Sequence, residues 1–237
     1  MKSSPLILPI ALIWSLLRFA QGPPQTPTES GPLDAVLKKM DAAAASFRTT
    51  RAEFEWDRYE KVIDEVDDIQ SGTIYFRRVG KDVEMKIDIT KPDRKYVLFS
   101  DGKIRMYQPK PDQVTVYDAG KNRADFETYF VLGFGGSGKD LEKAFAVTYV
   151  GPETINGVAT AKLQLVPKSE KVHNTFAKIL LWIDLDKGVS VQQQFFEPQG
   201  DYRLAKYSSI QINEKKFPND VFKLNTTSKT QTISSRG

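Results

Sequence analysis

The chain has 237 residues, 34 of them basic and 30 acidic, with a formal net charge of +4, 40% hydrophobic residues and no cysteine. That length gives room for one domain with a substantial core, and the missing cysteine excludes disulfides and lipid attachment to an N-terminal cysteine. Lysine and arginine are interleaved with aspartate and glutamate along the chain, which excludes the one-sided basic stripe of a nucleic-acid-binding surface.

Residues 1–22 read as a secretory signal. Lys2 supplies the positive start, Pro5–Leu17 is apolar but short for a membrane span, and Ala20-Gln21-Gly22 fits a small-x-small cleavage site. An uncleaved anchor is the alternative, disfavoured by the length of that stretch. Cleavage takes Lys2 and Arg18 with it and leaves a net charge of +2, so the basic balance says little about partners. Residues 23–31, rich in Pro and Thr, read as a disordered leader, and no later apolar run approaches membrane-span length.

From Pro32 to Arg48, Leu33, Val36, Leu37, Met40, Ala44 and Phe47 keep a 3.6-residue period, which predicts an amphipathic helix with proline in its first turn. Ala52, Phe54 and Trp56 then alternate with charges as in a strand. Trp56, Tyr59, Ile63 and Val66 fit a helix equally well, so Phe54–Asp68 stays open between the two. Strands follow at Ile74 and Phe76, at Val83–Ile89, where Met85, Ile87 and Ile89 alternate with charged residues, and at Tyr96–Phe99, Ile104–Tyr107 and Val114–Tyr117. Asp101-Gly102 is the pair that a two-residue type I′ turn favours.

The alternation breaks at Phe126–Leu132, which is apolar without a clean period, and a glycine-rich stretch and a short helix at Asp140–Phe145 come next. Strands resume at Ala146–Val150, Val158–Val166, Lys178–Ile183, Val189–Phe196 and Tyr202–Ile212, punctuated by Asn156-Gly157, Asp186-Lys187-Gly188 and Pro198-Gln199-Gly200. Residues 226–237 form a polar tail. So many consecutive hairpins with so few helices predict an α+β, mainly β fold, one strongly curved antiparallel sheet of about eleven strands.

Gly133-Phe134-Gly135-Gly136-Ser137-Gly138-Lys139-Asp140 matches the phosphate-cradling Gly-x4-Gly-Lys pattern except at Asp140, whose charge would repel phosphate where a Ser or Thr hydroxyl should hold magnesium. It sits in a meander and not in a strand–loop–helix unit, so a glycine loop without nucleotide is the better reading. His173 is the only histidine, no Gly-x-Ser-x-Gly elbow is present, and no carboxylate pair stands out; no enzyme, metal or cofactor is expected. The apolar alternation points instead to a cavity under the helices, with an ordinary core as the alternative. Arg78 is the odd member, on the face of Ile74 and Phe76, either buried with partners or at an edge with its guanidinium in water.

Gly72-Thr73-Ile74-Tyr75-Phe76-Arg77-Arg78, Lys91-Pro92, Ser100-Asp101-Gly102-Lys103 and Tyr107-Gln108-Pro109 resemble the periplasmic outer-membrane lipoprotein carrier (LolA-like) family, as do Leu165-Val166-Pro167-Lys168, Trp182, Asp186-Lys187-Gly188 and Phe222. The likeness runs in order from about Leu33 to Leu224, and a domain over residues 32–225 is expected. It implies an open half-barrel whose concave face is capped by the N-terminal helix and a helical lid, and which binds acyl chains between them. Mapped on this chain, it implies lipid-binding positions at Phe54, Trp56, Ile74, Phe76, Met85, Ile87 and Ile89, a lid carrying Phe126, Phe130, Leu132 and Phe134, and a lid lock at Arg78. Val79-Gly80 stands where the family usually has proline, and Met85, Ile87 and Ile89 where it carries larger, often aromatic residues. The implied function is a monomeric periplasmic carrier moving acylated lipoproteins from inner to outer membrane. Its implied partners are acylated lipoproteins or lipids and an inner-membrane lipoprotein-releasing ABC transporter, an outer-membrane receptor being left open. A carrier of free lipids and a lipid or envelope-stress sensor are the alternatives; the short stretch after the last predicted strand favours the carrier.

Overall fold

A computed structural model describes residues 31–80, 82–118, 132–215, 217 and 219–235. The expected signal, all but the last residue of the leader, and lid positions Phe126 and Phe130 lie outside them. The first helix, α1, spans Pro32–Ser46, with proline in its opening turn, Asp34 near its positive end and Val36, Leu37 and Met40 buried. Its C-terminus is held by a distant residue. Asn213 donates from Nδ2 to the Ser46 carbonyl (2.8 Å), while its Oδ1 accepts from the amides of Arg48 (2.8 Å) and Thr49 (3.2 Å).

Six strands follow: β1 (Thr49–Glu60), β2 (Glu65–Val79), β3 (Asp82–Lys91), β4 (Lys95–Ser100), β5 (Lys103–Gln108) and β6 (Gln113–Asp118). Helix α2 (Gly138–Ala144) leads into β7 (Phe145–Ile155) and β8 (Val158–Pro167); the one-turn α3 (Glu170–His173) precedes β9 (Lys178–Asp184), β10 (Ser190–Phe196) and β11 (Tyr202–Ile212). The region left open at Phe54–Asp68 is a strand hairpin, because Ala52, Phe54 and Trp56 find a face to bury while Val62, Ile63 and Val66 stay in solvent. Asp101 and Gly102 both take positive φ, 53° and 68°, the signature of the expected type I′ turn.

With β12 (Gln231–Ser235), the described strands join one open, curled sheet of order β12-β6-β5-β4-β3-β2-β1-β11-β10-β9-β8-β7. Every pairing is antiparallel except that of β12, which lies parallel to β6. This twelfth strand comes from the polar tail, beyond the eleven expected. Between β11 and β12 the chain crosses the outer face of the first half-sheet. There Phe222 lies 4.2 Å from the Arg77 guanidinium, Lys86 Nζ donates to the Lys223 carbonyl (3.2 Å), and Thr227 and Thr230 bond the Asp112 carboxylate (2.7 and 2.6 Å).

The inner face carries two apolar clusters. Under α1 and α2, strands β7–β9 bury Phe145, Leu163, Leu165, Ile179, Leu181 and Ile183 against Leu37, Met40 and Leu141. The β1–β4 half buries a second set that α1 does not cover.

Candidate functional site

Strand alternation brings the predicted inner-face positions together. Trp56 and Phe54 stand two residues apart on β1; Ile74 and Phe76 on β2 face Ile87 and Met85 on β3, and Ile89 follows opposite Gly72. Phe54, Ile74, Phe76, Met85, Ile87 and Ile89 are buried, and half-buried Trp56 packs at their rim with its ring 4.4 Å from that of Phe54. Their cover includes Phe134, itself 1% exposed: its ring stacks on Phe76 at 5.2 Å and meets Tyr207 edge-on at 4.7 Å. Leu132, two residues earlier, is buried in the other cluster. The segment Leu132–Phe134 thus reaches over both halves of the inner face.

Three carbonyls tie that segment down. Gln193 Nε2 donates to Leu132 O, the Ser190 amide to Gly133 O at 2.9 Å, and Arg78 Nη2 to Gly135 O at 3.3 Å. Gln193 is buried, and its Oε1 accepts from the Tyr207 hydroxyl at 3.2 Å; burial raises the Tyr207 pKa, so this phenol stays a neutral donor. Arg78 is only partly satisfied. Its guanidinium lies 5.4 Å from the Phe47 ring, and its Nε is buried with no hydrogen-bond partner among the described residues. Gly135 has φ +94°, and a Cβ there would meet the Phe47 ring at 2.6 Å, so only glycine brings its carbonyl to Arg78 without displacing Phe47.

Gln193 and Ser190 have no counterpart among the expected site residues. A glutamine inside a strand reads as solvent-facing, and only its register opposite Leu181 and Ala205 puts it on the inner face. The Gly133–Asp140 stretch resolves as a helix cap: Ser137 Oγ accepts from the Asp140 amide (3.1 Å) and donates to its carboxylate (2.7 Å). That hydroxyl, with Lys143, holds the Asp140 carboxyl below its usual pKa. Among the described residues no group of three or more His, Cys, Asp or Glu could hold a metal ion, and no helix is long and apolar enough to cross a membrane. A cavity of about 270 Å³ on the outer face, away from the inner apolar set, is lined by Lys86, Arg94, Tyr96, Tyr107, Pro109 and Asn225.

The family model described as outer membrane lipoprotein carrier protein LolA matches residues 45–225. No curated protein matches the sequence. Among solved structures, MucB, known also from a Pseudomonas aeruginosa complex with MucA, aligns at 12% identity and a TM-score of 0.54, over 84% of this chain and 65% of its own. An uncharacterized conserved protein from Thermus thermophilus aligns at 10% identity and a TM-score of 0.50, over 85% of this chain and 98% of its own. At such identities the likeness is one of fold. The chain spans about two thirds of the MucB structure's length.

Proposed function

The chain belongs to the outer membrane lipoprotein carrier protein family, and from that premise we propose that it is a periplasmic carrier without catalytic chemistry. It binds the acyl chains of lipoproteins on the Phe54–Ile89 face and moves them from inner to outer membrane. The observation that carries the reading is the Phe134 plug: an apolar sheet face whose cover, among the described residues, includes an aromatic ring on a glycine-flanked segment held by hydrogen bonds that can open. An ordinary core has no need of a cover tethered in this way.

Energetics favour reversible binding. Burying a chain of about a dozen methylenes is worth roughly 10 kcal/mol, at about 0.8 kcal/mol each. Displacing Phe134 exposes an aromatic side chain, about 2–3 kcal/mol, and breaks its ring contacts, about 0.5–1.5 kcal/mol each. The tether bonds add about 1 kcal/mol apiece. The cost of opening therefore offsets more than half of the gain, leaving an affinity from which a partner can extract the cargo. Arg78, with one long bond and an unpartnered Nε, is the weakest tether and the point where opening starts. On this reading Phe126 and Phe130 extend the lid, the inner-membrane lipoprotein-releasing ABC transporter loads the carrier, and an acceptor at the outer membrane unloads it.

Mass spectrometry of organic extracts and of co-purified proteins, taken from protein isolated from the periplasm, tests this. Triacylated lipoproteins in the preparation, delivered to acceptor membranes in a transfer assay, are the expected result. Phospholipid alone, without delivery, would move the assignment to a free-lipid carrier or a sensor. A protein that comes out empty and refuses lipid in vitro would return the apolar face to the status of core.

A further inference from the structure

The hairpin between β1 and β2 presents apolar side chains to solvent. Val62 is 95% exposed, Ile63 52%, Val66 46% and Ile69 54%. All four are β-branched and stiff, so they lose little side-chain entropy on being covered. They are also held in place: the Tyr59 ring stacks on Tyr202 at 4.6 Å, the Lys61 amide donates to Asp201 (2.9 Å), and Tyr59 Oη donates to the Asp64 carboxylate (2.5 Å). Val66 lies opposite Tyr59, and Ile69 opposite Asp57, which puts both on the outer face beside the tyrosine stack. The result is a rigid apolar prong.

Its charge is one-sided. Between Glu60 and Asp68 a single lysine accompanies five carboxylates. Glu60 pairs with Arg58 at 3.1 Å, but Asp64, Glu65, Asp67 and Asp68 have no cationic partner among the described residues. An anionic bilayer repels such a tip, since membrane-surface binding is driven by lysine and arginine. A basic protein surface attracts it. We infer that the β1–β2 tip is a docking prong for a folded partner protein, one that receives Val62 and Ile63 in an apolar groove rimmed by lysine and arginine. The strands that form the prong also carry Phe54, Trp56, Ile74 and Phe76, so a partner seated there lies at one end of the inner apolar face. The inference does not depend on what that face binds.

The test places a photoreactive amino acid at position 62 of the full chain in its host's cell envelope, with and without Glu65→Lys and Asp67→Lys. The expected result is one protein adduct whose cross-linked peptide carries basic residues beside apolar ones, and whose yield falls about tenfold on charge reversal. An adduct insensitive to charge reversal, one mapped to an acidic peptide, or no protein adduct would overturn the inference. So would co-sedimentation with phosphatidylethanolamine–phosphatidylglycerol vesicles that Val62→Ser abolishes, which would make the prong a membrane probe. Binding of a fatty-acid probe by the charge-reversed protein, expected unchanged, separates failure of the prong from failure of the acyl-binding reading.

Discussion

Replacing Phe134 by alanine separates a ligand site from an ordinary core, because the two readings predict different pairs of results. The ring is 1% exposed, stacked on Phe76 and edge-on to Tyr207. Truncating a buried phenylalanine costs about 3–5 kcal/mol of folding stability, read as a lower urea midpoint. If the ring also occupies the place of an acyl chain, removing it removes the competitor. Its burial and ring contacts, at least about 3 kcal/mol in all, then no longer oppose binding. Affinity for a long-chain fatty-acid probe, measured by titration calorimetry, should rise about 100-fold. A new hole could bind alkyl chains wherever it lies, so Leu163→Ala under α1, where Leu163 is 0% exposed, serves as the control. It should lose stability without gaining affinity. Equal affinities for wild type and Phe134→Ala, or an equal gain in the control, would refute the reasoning.

Arg78→Leu removes the donor to Gly135 O; exchange of a bound fatty acid, followed by stopped-flow displacement, should quicken about tenfold, and unchanged uptake and release would discharge Arg78 from the lock. Asn213→Ala leaves the Ser46 carbonyl and the Arg48 and Thr49 amides to water; a loss of about 1–2 kcal/mol and a melting temperature lower by several degrees should follow in calorimetry. The Asp112 carboxyl is held below its ordinary value of 3.8 by hydrogen bonds first from Thr230 and then from Thr227. A depressed pKa means a contribution complete above the unfolded value and lost as pH falls through the folded one. Amide exchange over Gln231–Ser235 should therefore accelerate below about pH 4, ahead of the β1–β11 pairing, and Asp112→Asn should remove that selective acid response.

The parts legible in the sequence were those where burial and alternation coincide. Met85, Ile87 and Ile89 alternate with Glu84, Lys86 and Asp88, and they do face the inner side. Trp56, Tyr59, Ile63 and Val66 imitated a helix because the hairpin leaves Ile63 and Val66 in solvent, and exposed apolar residues obey no period. The polar tail hid β12, since a strand that only covers an edge needs backbone hydrogen bonds and no apolar face. Gln193 was invisible for a related reason. Its buried amide is satisfied by the Leu132 carbonyl, a partner 61 residues away that strand alternation cannot register.

The pairing of β1 with β11 sets Phe54 against Tyr207 and Thr50 against Ile212. These neighbours belong to opposite ends of the described chain, yet they form the middle of the sheet. Hairpins β1–β6 and β7–β11 can each zip locally, but the seam between them closes only once Ile212 is free to pair. Such non-local closure is slow. During synthesis, then, the first half-sheet waits with its β1 edge bare, and the chain stays open to handling by other proteins until β11 has emerged.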